Sequence, residues 1–328
     1  ITRLGTLAGL VLLLALFLWK GTMDSFNLLI ESGWSLLLLP IIWFPCLLPA
    51  TEGWRLLFAN HEPPRFYDAL VATWIGRSVN NLLPVASIGG EIVKARLLHQ
   101  WGIPGLDAIA SVMVDKISQA LALALWGMIG VGTLLILSTD TRLALYATLG
   151  FAVLTFCVVS FAILQRKGFF GIMAKLGGMF IDSDTWNEFS INAEQIDHRI
   201  REIYRAKGKL VCAIALRTFS LAFQTFELWL ACYLLNHPIG LMEAIMLKSL
   251  TSTLSEIAFI IPNGYGIQEG AFILIGGILG IPPDIALILS IAIRIHDIIF
   301  DPSGLFALHH LEHKHLEKKQ QVPSDQNP

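Results

Sequence analysis

Ionisable side chains stand inside long apolar runs of this chain: Arg77, Glu91, Asp115, Lys116, Arg217, Glu227, Glu256, Glu269, Arg294, His296 and Asp297. A charge placed in hydrocarbon costs a few kcal/mol on insertion scales. Residues of this kind therefore face a bundle interior or a wet cavity, and they mark ion or substrate pathways. Acidic and basic groups held together in such a setting could receive the polar end of an amphiphile, or carry a proton. Two of the carboxylates share a local context. Glu91 ends the stretch Leu-Leu-Pro84-Val-Ala-Ser-Ile-Gly-Gly-Glu, and Glu269 ends Ile-Ile-Pro262-Asn-Gly-Tyr-Gly-Ile-Gln-Glu; in each, the glutamate lies seven residues after the proline.

An apolar run broken by proline and glycines frees backbone groups. At membrane depth these are tolerated only where they are buried in protein or line a cavity. Paired breaks in the two halves of a chain point to a transporter's binding site. Each glutamate could also simply cap the restarting helix, since a carboxylate is favoured at a helix amino terminus. Arg77 and Asn80 are three apart and share a helical face; with Asn81 beside them they could hold a phosphate oxygen, or Arg77 could pair internally with Glu91 or Asp115. Arg294 and Asp297 are also three apart, and either contact a ligand or neutralise one another. Asp115 and Lys116 are neighbours whose side chains point apart, so the pair could mark an interfacial helix end rather than a site. Glu256 follows the hydroxyl run Thr-Ser-Thr-Leu-Ser, which permits close helix packing.

The elements that must position these groups follow from composition. Of 328 residues, 55% are hydrophobic and only 15% are charged, with mean hydropathy +0.65, against roughly 25% charged in soluble proteins. Runs near the ~20 residues needed to cross a bilayer recur along the chain. The fold class is an all-α polytopic membrane protein of about seven to ten membrane segments, with two inverted, re-entrant or broken hairpins. Nothing supports nucleic-acid binding or a cofactor. The four cysteines are isolated, with neither metal-ligand spacing nor a disulfide framework. His309 and His313 are a helical turn apart but lack a third ligand of comparable quality, and no Ser-His-Asp, HExxH or CxxC arrangement occurs.

Spans are expected at 4–19 (a first helix that stays, rather than a signal peptide), 33–48 (kinked by Pro40 and Pro45), 66–83, 106–137, 143–164, 210–235, 244–261, 267–281 and 285–308. A loop is expected at 51–65, and 91–101 reads as an amphipathic segment near the interface. The hydrophilic segment 165–209 is rich in lysine and arginine and belongs in the cytoplasm by the positive-inside rule. Counting outward from it places both termini and every basic cluster on that side. The repeat halves are about 33–137 and 210–308 within one membrane domain, 1–308, and a cytoplasmic tail follows at 309–328.

Asn81-Leu-Leu-Pro84, Gly89-Gly90-Glu91, Arg96 and Asp115-Lys116 resemble the first signature of the lysylphosphatidylglycerol synthase transmembrane (flippase-like) family. Pro262-Asn-Gly-Tyr-Gly-Ile-Gln-Glu269-Gly-Ala-Phe and Arg294 resemble its second, and some details resemble the hopanoid-biosynthesis-associated branch. The resemblance covers most of the chain and implies movement of a polar-headgroup lipid between leaflets of the bacterial inner membrane, without catalysis. The lipid would be an aminoacylated phospholipid, another phospholipid or a hopanoid-type lipid. Lys116 stands where an arginine is expected, which keeps the charge but loses the bidentate fork. The site residues so implied are Arg77, Asn80, Asn81, Glu91, Arg96, Asp115, Lys116, Glu256, Asn263, Gln268, Glu269, Arg294 and Asp297. A membrane lipid is the expected substrate; a lipid-biosynthetic enzyme and a second copy of the chain are open as partners. A membrane-embedded enzyme acting on lipid headgroups, or a non-catalytic partner of such an enzyme, are the rival readings.

Overall fold

The computed structural model describes residues 33–58, 62–83, 88–137, 141–169, 171, 184–257 and 264–320. The expected first span 4–19, both motif prolines Pro84 and Pro262, and Asn263 lie outside the described residues. Among those described, the regular structure is entirely helical. We number it α1 (Gly33–Arg55), α2 (Phe66–Leu82), α3 (Gly89–Gln100), α4 (Gly105–Leu137), α5 (Thr141–Arg166), α6 (Asp184–Arg205), α7 (Lys207–Leu234), α8 (Leu241–Ile257), α9 (Ile267–Ile278), α10 (Pro283–Ile293) and α11 (Ile295–Gln320). Four runs are long and apolar enough to cross a membrane: α1, α4, α7 and the Leu145–Arg166 part of α5. Most of α5 faces outward, with Val153 and Phe156 exposed, a surface that suits acyl chains rather than water.

Two hairpins repeat one design. In each, a 17-residue helix (α2, α8) is followed by a 12-residue helix (α3, α9) packed against it. At 1.5 Å per residue the members are about 25 and 18 Å long, less than a ~30 Å hydrocarbon core. Each short helix ends in the same tripeptide, Gly102-Ile103-Pro104 and Gly280-Ile281-Pro282. The glycines take φ +95° and +74°. The following isoleucine N–H donates back across the turn, Ile103 to Leu98 O at 3.0 Å and Ile281 to Gly276 O at 2.9 Å. This is a Schellman stop, in which a left-handed glycine lets two end carbonyls be satisfied. The proline then opens the next helix, α4 or α10.

In the first hairpin the helices touch through backbone. A Cβ on Gly90 would lie 1.9 Å from the Gly76 carbonyl oxygen, so only glycine permits this crossing. Asn80, at the end of α2, accepts from the Gly90 N–H at 2.8 Å, satisfying an orphan donor at the start of α3.

Two apolar cores result. One joins the end of α1 to α2, α3, α6 and the amino-terminal halves of α4 and α7 around Trp54, Ile75, Leu97, Leu98 and Ile200. The other joins the carboxy-terminal halves of α4 and α7 to α8, α9 and α10 around Leu134, Leu228, Met246, Phe272 and Leu289. The long helices α4 and α7 run through both and hold them at a fixed separation.

Four expectations are corrected. The second span does not stop at residue 48: α1 runs on to Arg55, because Thr51 and Trp54 are wholly buried and need a helix to place them. The basic segment 165–209 is not simply a loop. It contains α6, whose Ile200, Ile203 and Tyr204 pack on α4; the apolar stripe at helical spacing was masked by the charge around it. The Tyr204 hydroxyl donates to Gln165 at 2.8 Å, and burial pushes that phenol up to about 12. The span 285–308 is two helices, broken at Arg294, whose N–H donates only three residues back to Ile291. Residues 309–320 continue α11, where Leu311 joins the first core, rather than beginning a tail.

Candidate functional site

Between the two cores lies a cavity of about 570 Å³, within the range that holds small ligands or one headgroup. The elements that frame it are α1, α2, α3, α4, α7, α8, α9 and the α10–α11 break. Arg77, Asn80, Asn81, Glu91, Lys116, Glu256, Gln268, Arg294 and Asp297 all line it. Asp115 and Glu269 stand immediately behind the wall, fully buried, each bound to cations that do line it. Arg96 does not belong to this set. It points away, 61% exposed, and pairs with Glu312 at 3.1 Å, because it lies two positions past Lys94 and so on another side of α3.

Three charge clusters meet at the wall. In the first, Asp115 accepts from Lys94 at 2.9 Å, from Arg217 at 2.7 Å to each oxygen, and from Gln119 at 3.1 Å. Glu91 accepts from Lys116 at 3.2 Å and stands 3.5 Å from Lys94. Lys94 Nζ also sits 4.1 Å over the Trp54 ring. Asp115 and Lys116 therefore mark no helix end. They lie inside the 33-residue α4 and, pointing apart, serve two different partners.

In the second cluster, Glu269 caps α9 by accepting from the Gly266 N–H at 2.7 Å, and also accepts from Arg294 Nε at 2.8 Å. Capping and charge pairing are thus simultaneous rather than alternatives. The Arg294 guanidinium lies 4.7 Å over the Tyr265 ring. Arg294 pairs with Glu269, whereas Asp297 pairs with Arg77 and His296.

The repeat extends to these pairs. Glu91 and Lys116 are 25 residues apart, as are Glu269 and Arg294. In both hairpins a first-turn glutamate on the short helix takes a cation from the helix after the glycine stop.

The third cluster is centred on His296. Its Nδ1 is 2.7 Å from Glu227 Oε1, while its Nε2 is 3.1 Å from Asp297 Oδ1 and 3.2 Å from Arg77 Nη2. A neutral ring donates from Nδ1 to Glu227 and accepts from Arg77; a protonated ring donates from Nε2 to Asp297 instead. One proton thus switches the arrangement. Arg77 also donates to Asp297 and lies 3.8 Å from Asp301, to which Asn81 donates at 2.9 Å. Trp43 stacks on His296 with centroids 4.3 Å apart, and Arg77 sits 4.2 Å over the same ring. Arg77 thus finds its carboxylates on α11, not in Glu91 or Asp115.

Lys94, Lys248 and Asp301 belong to this site without having been singled out from sequence, while Arg217, Glu227 and His296 stood among the charges inside apolar runs but were given no role. For Lys248 a signal was present, an ammonium inside an expected span. For the pairs, the 25-residue spacing and the repeated Gly-Ile-Pro were legible. Asp301 carried the same signal, a carboxylate inside the expected span 285–308, but its pairing with Arg77 was not legible, because only the folded break brings the two together.

Membrane-capable helices around a buried, charge-paired cavity define a polytopic helical membrane protein with an internal polar site. The family pattern for the lysylphosphatidylglycerol synthase TM region matches residues 4–301; the chain belongs to that family, which ties it to the handling of lipid headgroups. No curated protein and no solved structure matches it.

Proposed function

We propose that this protein carries a polar-headgroup lipid between the leaflets of a bacterial inner membrane, with no ATP hydrolysis of its own. The headgroup enters the cavity while the acyl chains remain in the bilayer. Shelter among paired charges lowers the main barrier to crossing, which is the cost of placing a polar or charged group in hydrocarbon. The two hairpins would act as inverted halves that open in turn to either side, with both termini in the cytoplasm. The observation that carries this reading is the convergence of Arg77, Glu91, Lys116, Arg294 and Asp297 on one headgroup-sized cavity, inside a bundle too apolar for water. Arg77 and Asn80 would approach a phosphate, whereas Glu91 and Glu256 would meet a cationic or hydroxylated group. To test it, purified protein is reconstituted in vesicles carrying labelled phospholipid in one leaflet. Wild type is expected to equilibrate the label, and Glu91→Gln to slow it; no movement above empty vesicles would overturn the reading.

A second reading, an enzyme acting on headgroups, is favoured by one feature, the histidine held between two carboxylates at the wall, which could serve as an acid–base group. Mass spectrometry of the vesicle lipids after incubation separates the two. A lipid of unchanged mass in the opposite leaflet supports transport, and a changed mass supports chemistry.

A further inference from the structure

One cation of the wall stands outside the charge pairs. Lys248, on α8, is 7% exposed and lines the cavity, yet among the described residues it makes no hydrogen bond and no ion pair. Every other lysine and arginine of the wall has a carboxylate: Arg77 has Asp297, Lys94 and Arg217 have Asp115, Lys116 has Glu91, and Arg294 has Glu269. Glu227, whose charge bears on Cys46 together with those of Lys248 and Arg77, gives Oε1 to His296 and leaves Oε2 without a hydrogen-bond partner among the described residues, yet no ion pair joins it to Lys248. Glu256 is on the same helix but two turns away, at an exposed position.

An ammonium has three donors and strong hydration. Buried inside a membrane bundle without an acceptor, it is among the costliest arrangements a fold can hold. Its surroundings can complete an oxyanion site. Ser252 lies one turn along α8, on the same face, and Gln224 of α7 lines the same cavity; among the described residues neither side chain has a hydrogen-bond partner. Thr251 and Ser255, by contrast, spend their hydroxyls on carbonyls of their own helix.

We propose that Lys248, with Ser252 and Gln224, is a binding site for a phosphate-type oxyanion, which supplies the acceptor that the Lys248 ammonium lacks in the protein alone. The site supplies an ammonium, a hydroxyl and an amide to one group of oxygens. A lipid phosphodiester or free phosphate both present this chemistry. The proposal rests on the transport reading only for what happens after binding, and binding can be measured without transport.

The test uses the full chain in detergent micelles, with phosphatidylglycerol, diacylglycerol (the same tails without phosphate) and inorganic phosphate as separate probes. Lipid retention is read by native mass spectrometry and phosphate by its effect on thermal unfolding. Wild type is expected to hold phosphatidylglycerol and release diacylglycerol, and Lys248→Gln to bind phosphatidylglycerol roughly ten- to a hundredfold more weakly, the worth of a charge-assisted hydrogen bond. Stabilisation by inorganic phosphate in wild type but not in Lys248→Gln, with no preference between the lipids, would assign the same site to the free anion. Equal phosphatidylglycerol retention by wild type and Lys248→Gln, with no phosphate effect, overturns the proposal.

A second variant guards against misfolding. Lys248→Met removes an unpaired charge at similar volume, so it should raise the unfolding temperature of the ligand-free protein; a fall would mean that Lys248 has a structural partner, and would also overturn the proposal. Lys248-dependent binding without movement of lipid across vesicles would sink the transport reading alone.

Discussion

The two hairpins solve the same problem and end in different states. Each puts a glutamate in the first turn of a 12-residue helix and a cation 25 residues later. In the second half the pair is sealed: Glu269 is fully buried, the Arg294 side chain is 9% exposed, and the carboxylate also caps its helix. In the first half the Lys116 side chain is 43% exposed, and Glu91 is divided between Lys116, Lys94 and Asn80. A cation that can leave its partner at low cost is free to meet a ligand, while one locked in a dry pair is part of the frame. The difference teaches that the repeat supplies a scaffold with two equivalent positions, only one of which is loose enough to work.

The largest effect should fall on the sealed pair. Arg294→Met strands a buried carboxylate and should cost about 3–5 kcal/mol of stability, whereas the double change Glu269→Leu with Arg294→Met should recover most of that, short of wild type by about 1 kcal/mol for the lost cap on the Gly266 N–H. Thermal unfolding of the three proteins decides it. A single Arg294→Met no less stable than the double change would show that the pair is not sealed, and the contrast between the halves would be lost.

The crossings sharpen the comparison next. A Cβ at Gly90 would strike a backbone carbonyl, which cannot move aside, so Gly90→Val should cost about 1–3 kcal/mol or more and part α2 from α3. In the second half the helix-facing glycine Gly276 sits against α10 rather than α8, and a Cβ there meets Ala286 at an ordinary 3.4 Å, so Gly276→Ala should be close to neutral. Comparable losses in both variants, read from chemical denaturation, would mean that the halves are packed alike.

Lys116 should show the reverse pattern. Because it is half-exposed, Lys116→Met is expected to change stability by less than about 1 kcal/mol, yet to slow lipid movement in vesicles about tenfold, as loss of one charge-assisted contact would. Lys116→Arg should retain the activity, since the charge stays and the guanidinium can present two parallel N–H groups to one ligand. A Lys116→Met protein as fast as wild type would make the looseness of this half incidental.

Much of this was legible in the chain and some was not. The two helix pairs, α2 with α3 and α8 with α9, followed from apolar runs meeting at the stretches that hold Pro84 and Pro262, and most of the wall residues followed from charges placed where charges are expensive. The partners of those charges were not legible. Arg77 reaches Asp297, and Arg294 reaches Glu269, because α10 stops at Arg294, and no proline or glycine in Ile291-Ala-Ile-Arg-Ile-His-Asp announces that stop. The break is paid for by tertiary contacts, namely the Glu269 pair and the Glu227–His296 bond, which exist only once the second half has folded. Helix α6 was missed for the opposite reason: its buried stripe is narrow and its surroundings are so charged that composition read as loop.

Arg96 gives the smallest expected effect. Its place in the sequence, five residues beyond Glu91 and next to a motif, suggested a phosphate contact, but periodicity argues otherwise. Lys94 and Leu97, three apart, face inward, which turns Arg96 toward the outer side of α3, where Glu312 of α11 meets it. An exposed pair of this kind contributes at most about 1 kcal/mol and is screened by salt. Arg96→Ala should therefore leave lipid movement unchanged and shift stability by a few tenths of a kcal/mol, less still at high ionic strength. If vesicle assays instead show Arg96→Ala as slow as Lys116→Met, a headgroup must pass along the outer face of α3, and the cavity between the cores would not be the route.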